Sequence, residues 1–137
     1  MRQSHFRPIV LFSVNSKEPR DSMTITTLLN DLQLENQAMV KVENGERKTT
    51  WLVLLDEGKQ EQQIKDIQAI CKVYDQPTLV YSGPDRETKQ IAFDGKEEYL
   101  GALCLATRRE VMTLPSYYAR SCGQVGEVEY YTVKNLQ

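Results

Sequence analysis

Thr49-Thr50-Trp51-Leu52-Val53-Leu54-Leu55 is the stretch on which the fold turns. Successive side chains of a strand point to opposite faces. Every position from Trp51 to Leu55 is apolar, so both faces of this strand need cover, as in the middle of a sheet. Upstream, residues 38–43 form a second strand-like run. Asn44-Gly45 joins the two, a dipeptide suited to the tight turn of a hairpin.

Helices flank this hairpin on both sides in sequence. Ile25, Leu28, Leu29 and Leu32 recur at the i, i+3, i+4, i+7 spacing of an amphipathic helix. Asp21 or Ser22 can cap it, because a short polar side chain accepts from the free amides of the first turn. A second helix over residues 59–74 carries Ile64, Ile67, Ile70, Cys71 and Tyr74 on one stripe, and Pro77 stops it. Pro8-Ile9-Val10-Leu11-Phe12-Ser13-Val14 reads as an opening strand and residues 78–81 as the closing one. The order strand, helix, strand, strand, helix, strand predicts an α+β fold of the split-βαβ, ferredoxin-like kind, an antiparallel sheet with two helices on one face. Short strands at 90–93, 99–107 and 128–133 then make a strand-rich extension. The expected organisation is one domain: an arm at 1–7, a βαββαβ core at 8–81 and an extension at 82–137. Two helices cover one face of a small sheet. The other face calls for the extension or a second chain, which is the reason to expect a homo-oligomer.

Composition narrows the function by exclusion. A net charge of -2 argues against strong non-specific binding to duplex nucleic acid, which rests on many phosphate contacts. No apolar run reaches the ~18–20 residues that span a membrane, and the first residues carry no secretory signal, so the expected location is the cytoplasm. Cys71, Cys104 and Cys122 are odd in number and widely spaced, which suits reduced thiols rather than a disulfide framework or a zinc site. Cys71 and Cys104 read as small buried hydrophobes and Cys122 as the exposed thiol. The single histidine, His5, lies on the arm, which leaves no partner for a serine or cysteine nucleophile. There is no glycine-rich phosphate loop. The acidic pairs Asp56-Glu57 and Glu97-Glu98 read as solvated surface. The chain is therefore expected to be no enzyme and to use no cofactor and no metal.

What remains is binding. Tyr117, Tyr118 and Arg120 follow Pro115 closely, and Arg108 and Arg109 precede them. Bases stack on exposed aromatic rings, at about 1–3 kcal/mol each, and guanidinium groups hold phosphates or stack themselves. The mixture suits a single strand, which exposes its base faces. The competing reading is that these tyrosines plug a core or an interface with their hydroxyls at its edge. The strand order is also that of the RNA-recognition motif, where aromatics on the middle strands stack bases. Here those strands offer Phe12 and Trp51 without the glycine and paired aromatics of that motif, so its sites do not carry over.

From residue 25 to about 130 the chain resembles a group of small phage and proteobacterial domains. The similar features are Leu28-Leu29-Asn30-Asp31-Leu32, Thr50-Trp51-Leu52-Val53, Tyr74-Asp75-Gln76, Leu79-Val80-Tyr81 and Tyr117-Tyr118-Ala119-Arg120. The resemblance implies a phage-encoded or phage-derived accessory protein; some proteins of this kind bind single-stranded DNA in transcription or replication and serve a recruited RNA polymerase, and others block a host enzyme or a defence system. It supplies no catalytic residues. The expected site is thus Arg108, Arg109, Tyr117, Tyr118 and Arg120, acting on single-stranded nucleic acid. The rival expectation is an inhibitor or adaptor that engages a host protein through Glu57, Glu61, Glu97 and Glu98 or a sheet edge.

Overall fold

The computed structural model describes residues 7–14, 19–121 and 127–134. Its strands are β1 (Ile9–Ser13), β2 (Glu35–Glu43), β3 (Glu46–Leu54), β4 (Thr78–Ser82), β5 (Glu87–Ala92), β6 (Glu97–Ala106), β7 (Ser116–Ser121) and β8 (Val128–Lys134). The helices are α1 (Pro19–Asp31), α2 (Gln60–Val73) and the single turn α3 (Arg108–Val111). The eight strands form one closed antiparallel barrel in the order β1-β3-β2-β7-β8-β6-β5-β4.

This corrects the expected ferredoxin-like α+β fold. Strand, helix, strand, strand, helix, strand do follow one another over β1 to β4, but they make half of a barrel wall instead of an open sheet. The remainder of the chain is no appendage to that wall. β7 pairs with β2, with Val40 opposite Ala119 and Val42 opposite Tyr117, and β5 pairs with β4. An open sheet would leave both of those strands as edges with unpaired amides and carbonyls, and closure removes them.

The doubly apolar strand β3 explains the two cores. Trp51 and Val53 point outward and join Val10, Phe12, Ile25, Leu29, Ile67 and Leu79 in a cluster between the wall and the two long helices. Leu52 and Leu54 point inward and meet Leu11, Met39, Leu103, Tyr118 and Tyr131 in the lumen. Both faces of β3 are thus covered within one chain, and this strand asks for no second copy. Phe12 and Trp51, directly opposite in register, stack with ring centroids 5.5 Å apart. The indole Nε1 donates to Thr26 Oγ1 at 3.1 Å and so ties the wall to α1.

Local signals place several elements as expected. The hairpin β2–β3 turns on Asn44 and Gly45, with φ of 51° and 84°, the pair of positive values that a two-residue turn of this twist requires. α2 buries Ile67, Ile70 and Cys71. In α1 the buried stripe is narrower than its periodicity suggests: Ile25 and Leu29 are fully buried, while Leu28 and Leu32 lie on the flank and are exposed. The helix also begins earlier than Asp21, with Pro19 at its start, where a missing amide hydrogen costs nothing. β5 and β6 shift register between Thr88 and Lys89, and Gly101, at φ 135°, stands opposite Thr88. A bulge of this kind strengthens the local twist that closure needs. Among the described residues no helix is long and apolar enough to cross a membrane. His5 and Cys122 lie outside the described residues.

Candidate functional site

An eight-stranded barrel is just wide enough for its own side chains to fill it or for one small ligand to enter. Here the lumen is not filled. Trp51 and Phe12 face the helices, and the interior is lined mainly by aliphatic side chains and two tyrosines. A cavity of about 290 Å³ remains, walled by Ile9, Leu11, Met39, Leu52, Leu54 and Leu103, with the Tyr118 and Tyr131 rings. It lies near the lower limit of small-molecule sites, which run from roughly 300 to 1,000 Å³.

Arginines rim the open end: Arg7, Arg86 and Arg120. Arg7, expected as the last residue of a flexible arm, is pinned there instead. Its Nε donates to the Leu55 carbonyl at 3.0 Å, Nη1 to Glu35 Oε1 at 2.9 Å and Nη2 to Asp56 Oδ1 at 3.0 Å. Arg120 donates through Nε and Nη2 to Glu129 Oε1, at 2.9 and 2.7 Å, and lies 5.5 Å from the centre of the Tyr131 ring. The Tyr131 hydroxyl donates to the same carboxylate oxygen at 2.7 Å. These bonds, the tyrosine first and the guanidinium second, hold the Glu129 carboxyl below its usual range. Burial, helped by Glu129, pushes the Tyr131 phenol up to about 12. Burial does the same for Tyr118, also to about 12. Both phenols are therefore neutral donors at physiological pH.

The structure divides the five residues expected to bind nucleic acid. Alternation along β7 sends Tyr118 and Arg120 into the lumen and Tyr117 to the outer wall. Tyr118 is 6% exposed and offers no face for stacking. Tyr117 packs edge-on against Tyr130, with centroids 5.8 Å apart. Arg108 and Arg109 are exposed on α3, a turn held by a capping box in which Thr107 Oγ1 accepts from the Glu110 amide and Glu110 Oε1 from the Thr107 amide. Arg108 borders a surface groove with Val128 and Tyr130. The expected patch is thus two sites on opposite sides of the barrel wall.

Sequence reasoning missed most of the lumen, including Arg7, Met39, Lys41, Lys48, Leu103 and Tyr131. The period-2 runs Met39–Lys41 and Leu103–Leu105 were available as a signal, but each marks only an inward face and not what lies opposite. Among the described residues no three His, Cys, Asp or Glu side chains group closely enough to hold a metal ion. Fold and cavity together describe a small antiparallel barrel with an apolar interior pocket. No protein-family model matches the chain, and no curated protein is significantly similar to it.

Proposed function

We propose that this chain is a binding protein that takes a small apolar ligand, or the apolar part of a larger one, into the barrel lumen. The cavity of about 290 Å³ carries the proposal, because it is hydrocarbon-walled yet reaches the surface at the arginine rim. Removing apolar ligand surface from water is worth about 25 cal/mol per Å². The neutral phenols of Tyr118 and Tyr131 add fixed polar points that orient what enters. The chemistry of this wall suits holding a ligand rather than transforming one.

A fluorescent medium-chain fatty-acyl probe tests the reading. The wild type is expected to bind it saturably. Leu103→Trp, which fills the cavity from β6, is expected to weaken binding by about tenfold or more with little change in melting temperature. Equal binding by wild type and Leu103→Trp, or none by wild type, refutes the proposal.

One observation favours a second reading, in which single-stranded nucleic acid binds on the outer wall: Arg108 and Tyr130 border the same groove, with Tyr117 against Tyr130. The reading predicts salt-sensitive binding of labelled single strands that is lost in Arg108→Ala combined with Tyr130→Ala. Tyr118→Phe, altered inside the lumen, is expected to leave that binding intact. Salt-insensitive binding, or none, sinks it.

A further inference from the structure

The lumen has a second chamber beyond the apolar one, and its chemistry is different. Ser13, Lys41, Lys48, Thr50, Thr78 and Gln90 border a cavity of about 100 Å³. Leu11 and Tyr118 line both chambers and form the partition between them. Lys41 and Lys48 stand directly opposite one another across β2 and β3. Like charges in that position repel and weaken the strand pair, and both lysines are half-buried, where water screens them less.

The surrounding carboxylates do little to offset this. Lys41 Nζ lies 3.7 Å from Glu43 Oε2, a long pair whose carboxylate is half-exposed, and 5.6 Å from the centre of the Tyr118 ring. Lys48 makes no hydrogen bond or ion pair with any described residue. The Ser13 and Thr50 hydroxyls, 2.6 Å apart, share one hydrogen bond, which leaves the second hydrogen free to point elsewhere. Two lysine side chains and a spare hydroxyl hydrogen therefore border one small polar space.

We infer that this chamber is an oxyanion site, which takes a phosphate or carboxylate group between Lys41 and Lys48. The anion turns a repulsive pair into two charge-assisted contacts. It stands independently of the apolar chamber, although the shared partition makes an amphiphile with an anionic head one natural source of the group and a free anion the other.

Calorimetric titrations of the full chain with inorganic phosphate and with octyl phosphate test it. At least one of the two is expected to bind the wild type. Lys48→Met is expected to weaken that binding by about tenfold or more and to raise the melting temperature without ligand, because it relieves the repulsion. Lys48→Arg, which restores the charge, is expected to recover binding, and Arg109→Met, on the outer surface, to leave it unchanged. Equal binding by the two anions identifies a free anion as the source. Tighter octyl phosphate binding that falls to the phosphate level in Leu103→Trp identifies a head group. If neither anion binds, or if Lys48→Met binds as the wild type does, the oxyanion site is wrong, whatever Leu103→Trp does to the acyl probe.

Discussion

Replacing Trp51 by alanine tests the seam between barrel and helices. The indole is 1% exposed, stacks on Phe12 at 5.5 Å and donates to Thr26 on α1 at 3.1 Å. Deleting a buried aromatic of this size costs about 3–5 kcal/mol, the transfer free energy plus the cavity left behind. Against a total stability of about 5–15 kcal/mol, that is a large part of the fold's margin. At ~2.1 cal/mol/K per residue, a chain of 137 residues has an unfolding entropy of about 0.29 kcal/mol/K, so the expected fall in melting temperature is about 10–17 °C. Trp51→Phe keeps the ring stack, loses the bond to a half-buried hydroxyl and shrinks the ring, so it should fall well short of the alanine loss. Urea unfolding followed by far-UV circular dichroism reads both variants. A loss below about 1 kcal/mol for Trp51→Ala would mean that α1 does not dock on this wall, and the outer core would have to be redrawn.

The β2–β7 seam is tested by Val40→Cys with Ala119→Cys. Directly opposed residues of an antiparallel pair stand about 4.5–5.5 Å apart at Cα, within disulfide range. In a background with the native cysteines replaced by serine, the pair should oxidise intramolecularly; an open sheet with β2 as a free edge would leave both thiols titratable. Cys71 is buried on the inner face of α2, and burial pushes its thiol up to about 12. With Cys104 and Cys122 replaced by serine, a thiol reagent at neutral pH should label nothing until denaturant is added, and rapid labelling of the native protein would contradict the packing of α2. Glu129 supplies a pH test. Its folded carboxyl titrates below the ordinary carboxylate range, so its contribution is present above the unfolded pKa and is lost as pH falls through the folded one. Melting temperature measured downward through that acid range should fall less steeply in Glu129→Gln than in wild type, and identical slopes would show that Arg120 and Tyr131 do not hold that carboxylate.

Much of the local structure was legible because its causes are local. Asn44-Gly45 marks a turn through the φ values that only such residues accept readily. Ile67, Ile70 and Cys71 mark a helix face through spacing alone. Trp51 to Leu55 announce a strand covered on both sides, as β3 is. The candidate site was legible only as an inventory. Tyr118 and Arg120 stood out as aromatic and basic, but which wall they faced depended on the register of β7 against β2 and β8.

The sequence by itself determined the Asn44-Gly45 turn, the strands and helices from Ile9 to Ser82 and that the central hairpin needed cover on two sides, whereas β7 and the turn α3 carried no such signal. Only the tertiary structure decided what supplied the second cover. Closure pairs Val42 with Tyr117 and Leu103 with Val133, contacts between residues far apart or chosen from several equally apolar partners. Periodicity reports which face of a strand is apolar, and carries no information about which other strand will lie beside it. The lumen, its arginine rim and the opposed lysines exist only once that pairing is made, because each is assembled from inward positions of several strands.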